Sequence, residues 1–529
     1  MYECPNCGGN LKFDIPSQQL ACAFCGTHKS PYEIKKETDA TEQEYFEATI
    51  FTCPQCGGEI LSADNEATAF CSFCGASTIL SSRISKEKRP QYIIPFKKTK
   101  EDCKAAYAKK MRKAFFVPKE LKDPQYIDGF RGIYMPYWSY QLVQNGDVKL
   151  KGSKTHRQGD YVITRHFDLT GDLDAYYLGY ARDASSSFYD NISEALAPYD
   201  VKEMVNFEPT FLSGFYADTA DVGQEIYLDD VTELANKSSY HKICEEKTFK
   251  AYNVKSAENE GNLKKRINTT CRKADNTMYP VWFLSYRNGD RVAYAAVNGQ
   301  NGKIVADMPI DPKRYICSSL LLAIPIFLLL NLFFTFRPVV LLGLSCFLVL
   351  ISAIIYAVEL NAIYRKETYA DDEGVSLKRG NENVEGETGG EKKKKEKAAF
   401  SITKLRPNDW AVATVLVFTF GPLAVVLLGT ILWPVIVIGT IICGVIGIKN
   451  RRKIEDIKKT PGFIISMVTS VIAVLIRIVN PVADVYYYVG AMLALLAVLF
   501  NLIDIIGNYN RLAMRRLPQF DKKGGDDRA

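Results

Sequence analysis

Charged and apolar positions are segregated along these 529 residues: charge dominates the first 310 or so, and long uncharged runs cross the last 215. Ile316 to Phe336 is 21 residues without a charge, and Pro338 to Val358 is another 21 after Arg337 alone. As a helix, either run can cross a hydrocarbon core about 30 Å thick. Trp410 to Ile448 is uncharged for 39 residues. As one helix it would measure roughly 58 Å, so a turn around Gly429 to Pro434 is expected to divide it into two crossings. Gly462 to Ile476 and Val485 to Ile503 bring the number of predicted membrane helices to about six, in residues 315–363, 410–448 and 461–508.

Basic residues give these crossings a direction. Lys and Arg number eleven between Arg365 and Arg406, six between Lys449 and Lys459, and six from Arg511 to Arg528. The opposite connections hold at most one arginine each. This alternation predicts a multi-pass cell-membrane protein with both termini cytosolic. The opening Met-Tyr-Glu-Cys has no basic and apolar leader, which agrees with a cytosolic N-terminal half. Residues 364–409, rich in Gly, Glu and Lys, read as a disordered cytosolic loop, and 509–529 as a cytosolic tail. Asn331, Asn501, Asp504 and Gly421-Pro422 are the notable polar or helix-breaking features of the spans.

Between residues 90 and 312 the pattern is that of a globular α+β domain with an antiparallel sheet. Thr99 to Asp102 reads as a capping box with Asp in place of Glu or Gln, opening a helix toward Phe116. Tyr134 to Leu142, Tyr161 to Leu169 and Ala175 to Tyr180 have strand-like content. Arg287-Asn288-Gly289-Asp290 predicts a hairpin, and Asn298 to Gly302 a second turn. Tyr-Met-Pro-Tyr-Trp at 134–138 and Tyr-Pro-Val-Trp at 279–282 suggest two buried strands of a duplicated unit.

The N-terminal region carries the chemistry. Cys4, Cys7, Cys22 and Cys25 repeat, offset by 49 residues, as Cys53, Cys56, Cys71 and Cys74. Pro5 and Pro54, Gly8-Gly9 and Gly57-Gly58, Phe24 and Phe73, and Gly26 and Gly75 repeat with them. Each Cys-x2-Cys turn puts two thiolates on one side of a tight loop, and two such turns make a tetrahedral zinc site. Two structural zinc ions are expected, in zinc ribbons at 1–36 and 51–82 joined by a Glu/Thr-rich linker at 37–50. Leu11 and Phe13, or Ile60 and Leu61, would supply each ribbon with a small apolar face. A lone redox pair would show one such motif, not four in matched pairs.

Charge then narrows the partners. The formal net charge of +6 falls to roughly +2 once two zinc tetrathiolates are included. Phe51 to Leu80 contains no lysine or arginine, and residues 1–27 contain only Lys12. A surface made to neutralise phosphates would be basic, so nucleic acid is not expected on the ribbons and cytosolic proteins are. From Arg83 to Lys122, by contrast, there are fourteen basic and four acidic residues. Lys104, Lys109, Lys110, Arg112 and Lys113 on the helix there are candidates for contact with anionic lipid or an acidic partner. His28, His156, His166 and His241 are scattered, and no phosphate loop, nucleophile elbow or metalloprotease motif is present. No enzymatic activity is expected.

Two four-cysteine ribbons, Cys-Ser-Phe-Cys-Gly-Ala at 71–76, Ile-Pro-Phe at 94–96, Gly-Ile-Tyr-Met-Pro-Tyr-Trp at 132–138 and Val-Asn-Gly-Gln-Asn-Gly at 297–302 resemble YdjG-type bacterial membrane proteins over roughly residues 1–340. That resemblance implies a membrane-anchored accessory protein associated with flotillin-like and phage-shock-type envelope scaffolds. The leading expectation is therefore a membrane-anchored zinc-ribbon adaptor in envelope maintenance or stress. A membrane-tethered nucleic-acid-binding regulator and a transport accessory are the alternatives.

Overall fold

In a computed structural model, residues 2–34, 44–62, 71–76, 81–333, 337–368, 372, 433–452, 454 and 462–518 are described. The first cysteine module is a small antiparallel sheet of β1 (Leu11–Asp14), β2 (Gln19–Cys22) and β3 (His28–Lys29). The second module does not stand apart in this way. Its strands β4 (Tyr45–Thr52), β5 (Glu59–Ser62) and β6 (Ser81–Lys88) belong to a twelve-stranded sheet that includes the main domain.

The linker expected at 37–50 is corrected by β4. Phe46, Ala48 and Ile50 alternate inward at 5%, 6% and 1% exposure, and the strand pairs with β6 from Tyr45 to Thr52. The Glu and Thr between them face outward, and they gave the segment its polar look. Residues 37–43 lie outside the described residues.

The remaining strands are β7 (Tyr92–Ile93), β8 (Arg131–Gln158), β9 (Tyr161–Asp183), β10 (Val205–Asn206), β11 (Tyr216–Ala217), β12 (Ile267–Asn288), β13 (Arg291–Asn298), β14 (Ile304–Ala306) and β15 (Arg515–Arg516). Both predicted turns are present: Asn288 pairs with Arg291 across the first, and β13 and β14 flank the second. The strand-like segments at 134–142, 161–169 and 175–180 are parts of two much longer strands. β8 and β9 form a hairpin, and the 28 residues of β8 span roughly 90 Å.

The duplicated unit suggested by the two Trp motifs is visible in the hydrogen bonds. The first half runs β7, helix α1 (Lys100–Lys113), β8, β9; the second runs β11, helix α2 (Leu228–Glu245), helix α3 (Ala257–Arg266), β12, β13. The short strands are exchanged: β7 lies parallel to β12, and β11 parallel to β8. Ile94 N donates to Met278 O at 2.9 Å, as Asp218 N does to Tyr134 O at 2.9 Å. Lys97 N donates to Gly299 O as Asp221 N does to Ala184 O, and Gly299 N donates to Pro280 O as Ala184 N does to Pro136 O. The Trp282 indole donates to Lys98 O at 2.8 Å, and the Trp138 indole to Val222 O at 2.7 Å. Each half thus uses its Trp, with Trp282 buried and Trp138 half-buried, to anchor the loop of the other.

The capping box on α1 is formed as expected: Thr99 Oγ1 accepts from Asp102 N, and Asp102 Oδ2 accepts from Thr99 N. The helix stops at Lys113 rather than near Phe116, because Ala114 leaves helical geometry and Phe116 turns to meet Tyr315, ring centroids 5.1 Å apart.

The C-terminal region consists of helices α4 (Pro312–Phe333), α5 (Pro338–Glu367), α6 (Trp433–Arg451), α7 (Gly462–Val479) and α8 (Val485–Ala513). Among the described residues, four of these, α5 to α8, are long and apolar enough to cross a membrane, so the expected count of about six is not reached. The crossing expected within 410–432 and the charged loop beyond Thr368, apart from Asp372, lie outside the described residues. α5 packs along α8 and α6. Asn501, fully buried, donates to Ser352 Oγ at 2.8 Å and Ser466 Oγ at 2.9 Å. This polar link between three helices accounts for one of the residues flagged in the spans.

The helical bundle and the sheet are fastened to one another. Directly after α8, β15 adds to the edge of β13, pairing Arg516 with Arg291 and Arg515 with Val292. Glu367, at the end of α5, accepts from Arg291 at 2.5 Å and from Arg516 at 3.2 Å. Asn510 of α8 bonds both Ile310 N and Ile310 O.

Two four-cysteine clusters as candidate metal centres

The eight cysteines singled out by their spacing meet as two groups of four. Within each group the sulfurs lie within 4.8 Å of one another. Cys4 and Cys25 sulfurs are 3.6 Å apart, Cys7 and Cys22 3.5 Å, Cys53 and Cys74 3.8 Å, and Cys56 and Cys71 3.7 Å. A tetrahedron with Zn–S bonds of about 2.3 Å has edges of about 3.8 Å, so both donor sets fit a zinc ion. Neither group contains a disulfide.

Backbone geometry explains why the spacing works. In all four turns the glycine four residues after the first cysteine turns its N–H back onto that cysteine's carbonyl: Gly8 N donates to Cys4 O, Gly26 N to Cys22 O, Gly57 N to Cys53 O and Gly75 N to Cys71 O. The glycines have φ of 71°, 69°, 72° and 70°, the left-handed region where a Cβ would be strained. The Thr27 hydroxyl, 3.1 Å from Cys25 Sγ, and then the Thr27 N–H hold the Cys25 thiol down at about 6. The Cys71 thiol does the same for Cys53, against its burial, and Cys53 also falls to about 6. Other thiols of the two sets go the opposite way: against the Gly9 N–H, the Cys25 and Cys22 sulfurs push Cys7 up to about 12, and the Cys53 and Cys56 sulfurs push Cys71 well up. Each set thus shares protons unequally, and metal binding, which needs thiolates, would displace them.

The surroundings of the two clusters differ sharply. Cys7 and Cys25 are exposed, while all four cysteines of the second cluster are buried. Phe24 and Phe73 occupy the same place in the repeat, yet Phe24 is 82% exposed and Phe73 is 3% exposed. The Tyr294 hydroxyl of β13 donates to Phe73 O at 2.7 Å, Arg287 donates to Gln55 at 2.9 Å, and Leu517 of the C-terminal tail packs on the cluster. The first module is held on its opposite side only. Leu11 and Phe13 are buried as expected, Phe13 against Phe211 and Phe215, and Ser213 Oγ donates to Leu11 O. His28 lies near Ser17 and outside the cysteine groups.

The basic helix residues divide. Lys104 pairs with Asp128 at 2.5 Å and Lys110 donates to Ile304 O at 3.2 Å, so both are engaged by the fold. Lys109, Arg112 and Lys113 remain exposed.

A group of carboxylates that no sequence motif marked lies at the end of β9. Asp183, Asp190 and Asp372 are 1%, 8% and 2% exposed, and Asp372 accepts from Asp190 N. Their oxygens do not converge as a metal set among the described residues. Neither oxygen of Asp183 has a hydrogen-bond partner there. Burial, and then Asp190 and Asp372, push its carboxyl well above the usual range. In the second half its counterpart is Asn298, since Asp183 pairs with Tyr137 and Asn298 with Val281. Asn298 caps its own loop, accepting from Gln300 N and Asn301 N. Because the native state holds the Asp183 proton above the unfolded value near 3.9, stability falls as pH rises from about 4 toward the native pKa. Asp183→Asn is therefore expected to raise the melting temperature by roughly 3 °C or more at pH 8 and to leave it unchanged at pH 4. An equal shift at both pH values in a thermal-melt series would refute this.

The fold and the site together define a class: a protein with two four-cysteine modules set on a duplicated sheet domain and continued into a bundle of apolar helices. The chain belongs to the family of YdjG from Bacillus subtilis strain 168, an uncharacterized protein to which it is 34% identical over 314 residues, covering 59% of this chain and 90% of that relative. No family model matches the chain, and no solved structure does.

Proposed function

We propose that this protein is a membrane-anchored adaptor that holds zinc in both modules and presents the first one to cytosolic protein partners, without a catalytic step. In this reading the chain crosses the membrane six times with both termini in the cytosol. The second zinc ribbon is a structural part of the sheet domain, and the first is the presented surface. The observation that supports it is the opposite fate of two equivalent aromatics: Phe73 is covered by the fold, whereas Phe24 stands exposed at the knuckle tip. An exposed aromatic beside a rigid metal site, on a module with a single lysine before residue 28, suits a protein contact better than a phosphate backbone. Envelope scaffolds of the flotillin-like and phage-shock types are the partner class to examine first.

Proximity labelling from the native N-terminus compares the wild type with Phe24→Asp in the full chain. The exposed site makes the substitution neutral for folding, so zinc content should be unchanged, while the strongest partners should drop about tenfold or more, the effect of losing a ~1.4 kcal/mol anchor. Identical partner sets would sink the adaptor reading.

A further inference from the structure

The fold brings the C-terminal end of α1 to the base of the helical bundle. Asp311 N donates to Phe116 O at 2.7 Å, Arg314 donates to Val117 O at 3.3 Å, and the Phe116 ring meets Tyr315 in the first turn of α4 edge-on at 5.1 Å. The same short segment is fixed to α8 through Asn510 on Ile310 and Tyr509 on Met308. The apolar run of α8 ends at Ile503, so residues 308–316 and the chain at 114–117 stand where a bilayer's headgroups would begin. Phe115, on this end of α1, is 70% exposed.

Basic side chains outnumber acidic ones around that point, where Asp311 and Glu120 are the nearby carboxylates. Lys109, Arg112 and Lys113 are spaced so that they share one helix face, and all three are exposed, as are Lys119 and Lys313. None of the five has an ion pair among the described residues, while Lys104, earlier on the same helix, and Lys110, next to Lys109 but turned to Ile304 O, are already engaged. Asp311 is occupied by Arg314. Basic residues in the last turn also complement the helix dipole. That role needs neither five cations nor an exposed aromatic beside them.

We propose that the end of α1, with Lys109, Arg112, Lys113 and Phe115, docks on the headgroups of anionic phospholipid in the membrane that the bundle occupies. Phe115 enters the interface, and the cations bind phosphate. A cytosolic α-helix thereby becomes a second, electrostatic attachment of the sheet domain to the membrane. This inference rests on the helical bundle lying in the membrane, and it is independent of the adaptor role.

The test uses the full-length protein in nanodiscs of phosphatidylcholine alone and of phosphatidylcholine mixed with phosphatidylglycerol, read by hydrogen exchange of residues 109–119. Exchange there is expected to be about tenfold slower in the anionic discs, and high salt should remove the difference. K109E/R112E/K113E should abolish the slowing while zinc content and exchange of β8 stay unchanged. Equal exchange of the wild type in the two discs would overturn the proposal, whether or not the variant folds. So would slowing that appears in neutral discs only when cytosolic protein is added, which would assign the surface to an acidic protein. A failed adaptor test would leave all of these readings unaffected.

Discussion

Replacing Cys71 with serine is expected to cost the protein its folded state, whereas Cys25→Ser should leave a folded chain that holds one metal ion. Cys71 is 0% exposed, and its cluster is shared by the sheet, through β5 on β11 and Tyr294 on Phe73, and by the tail, through Leu517. A structural zinc site contributes on the order of 10 kcal/mol of folding free energy, comparable to the whole stability of a domain. Losing a ligand there leaves three buried thiols and no cross-link between these elements. At the first cluster Cys7 and Cys25 are exposed, so a bound metal would lie toward solvent, and the hairpin behind it is held by Leu11, Phe13 and Leu20 in the domain core. Metal analysis of the purified proteins should give two ions for the wild type and one for Cys25→Ser. A chelator should remove one ion rapidly and the second only at the rate of global unfolding. Release of both at one rate, or a stable Cys71→Ser protein, would contradict the assignment.

The second large effect is expected at the joint between sheet and bundle. Arg291 and Glu367 have side chains 9% and 11% exposed and form an ion pair at 2.5 Å, with Arg516 as a further partner of Glu367 at 3.2 Å. Glu367→Ala leaves the buried Arg291 guanidinium without its carboxylate, a loss of about 3 kcal/mol, whereas the Arg516 side chain, 40% exposed, passes to solvent at little cost. Because β15 supplies only two residues to the sheet, that loss should free the tail. Limited proteolysis after Arg511, Arg515 or Arg516 in detergent should become much faster, while the wild type resists. Unchanged cleavage would mean that the strand pairing alone holds the joint.

Much of this organisation was legible before any coordinates. The two candidate donor sets followed from spacing, since four Cys-x2-Cys turns in matched pairs suit two tetrahedra. The capping box of α1 and the two turns at 288–291 and 298–302 followed from local chemistry, which acts over a few residues. The part of the expected linker at 45–50 is a strand instead, because Glu and Thr hide the inward-facing Phe46, Ala48 and Ile50, and a strand shows itself by alternation rather than by composition. The lengths of β8 and β9 were underestimated for a related reason. Beyond residue 150 their hairpin is mostly exposed, so inward and outward positions no longer differ enough to mark a strand. There α3 braces it, with Asn259 bonded to the backbone of Lys151 on both sides.

By itself the sequence determined the two four-cysteine groups, because the ligands of each lie close along the chain and metal geometry leaves little choice. It also determined that apolar helices follow, because length and hydropathy are properties of a segment alone. Tertiary structure decided which cluster is enclosed. Phe24 and Phe73 are interchangeable as sequence, and only the arrival of Tyr294, Arg287 and Leu517 from far along the chain separates them. It likewise decided which basic residues of α1 stay exposed and brought Phe116, just past the helix, against Tyr315, since long-range contacts, not helical periodicity, determine what a helix face meets.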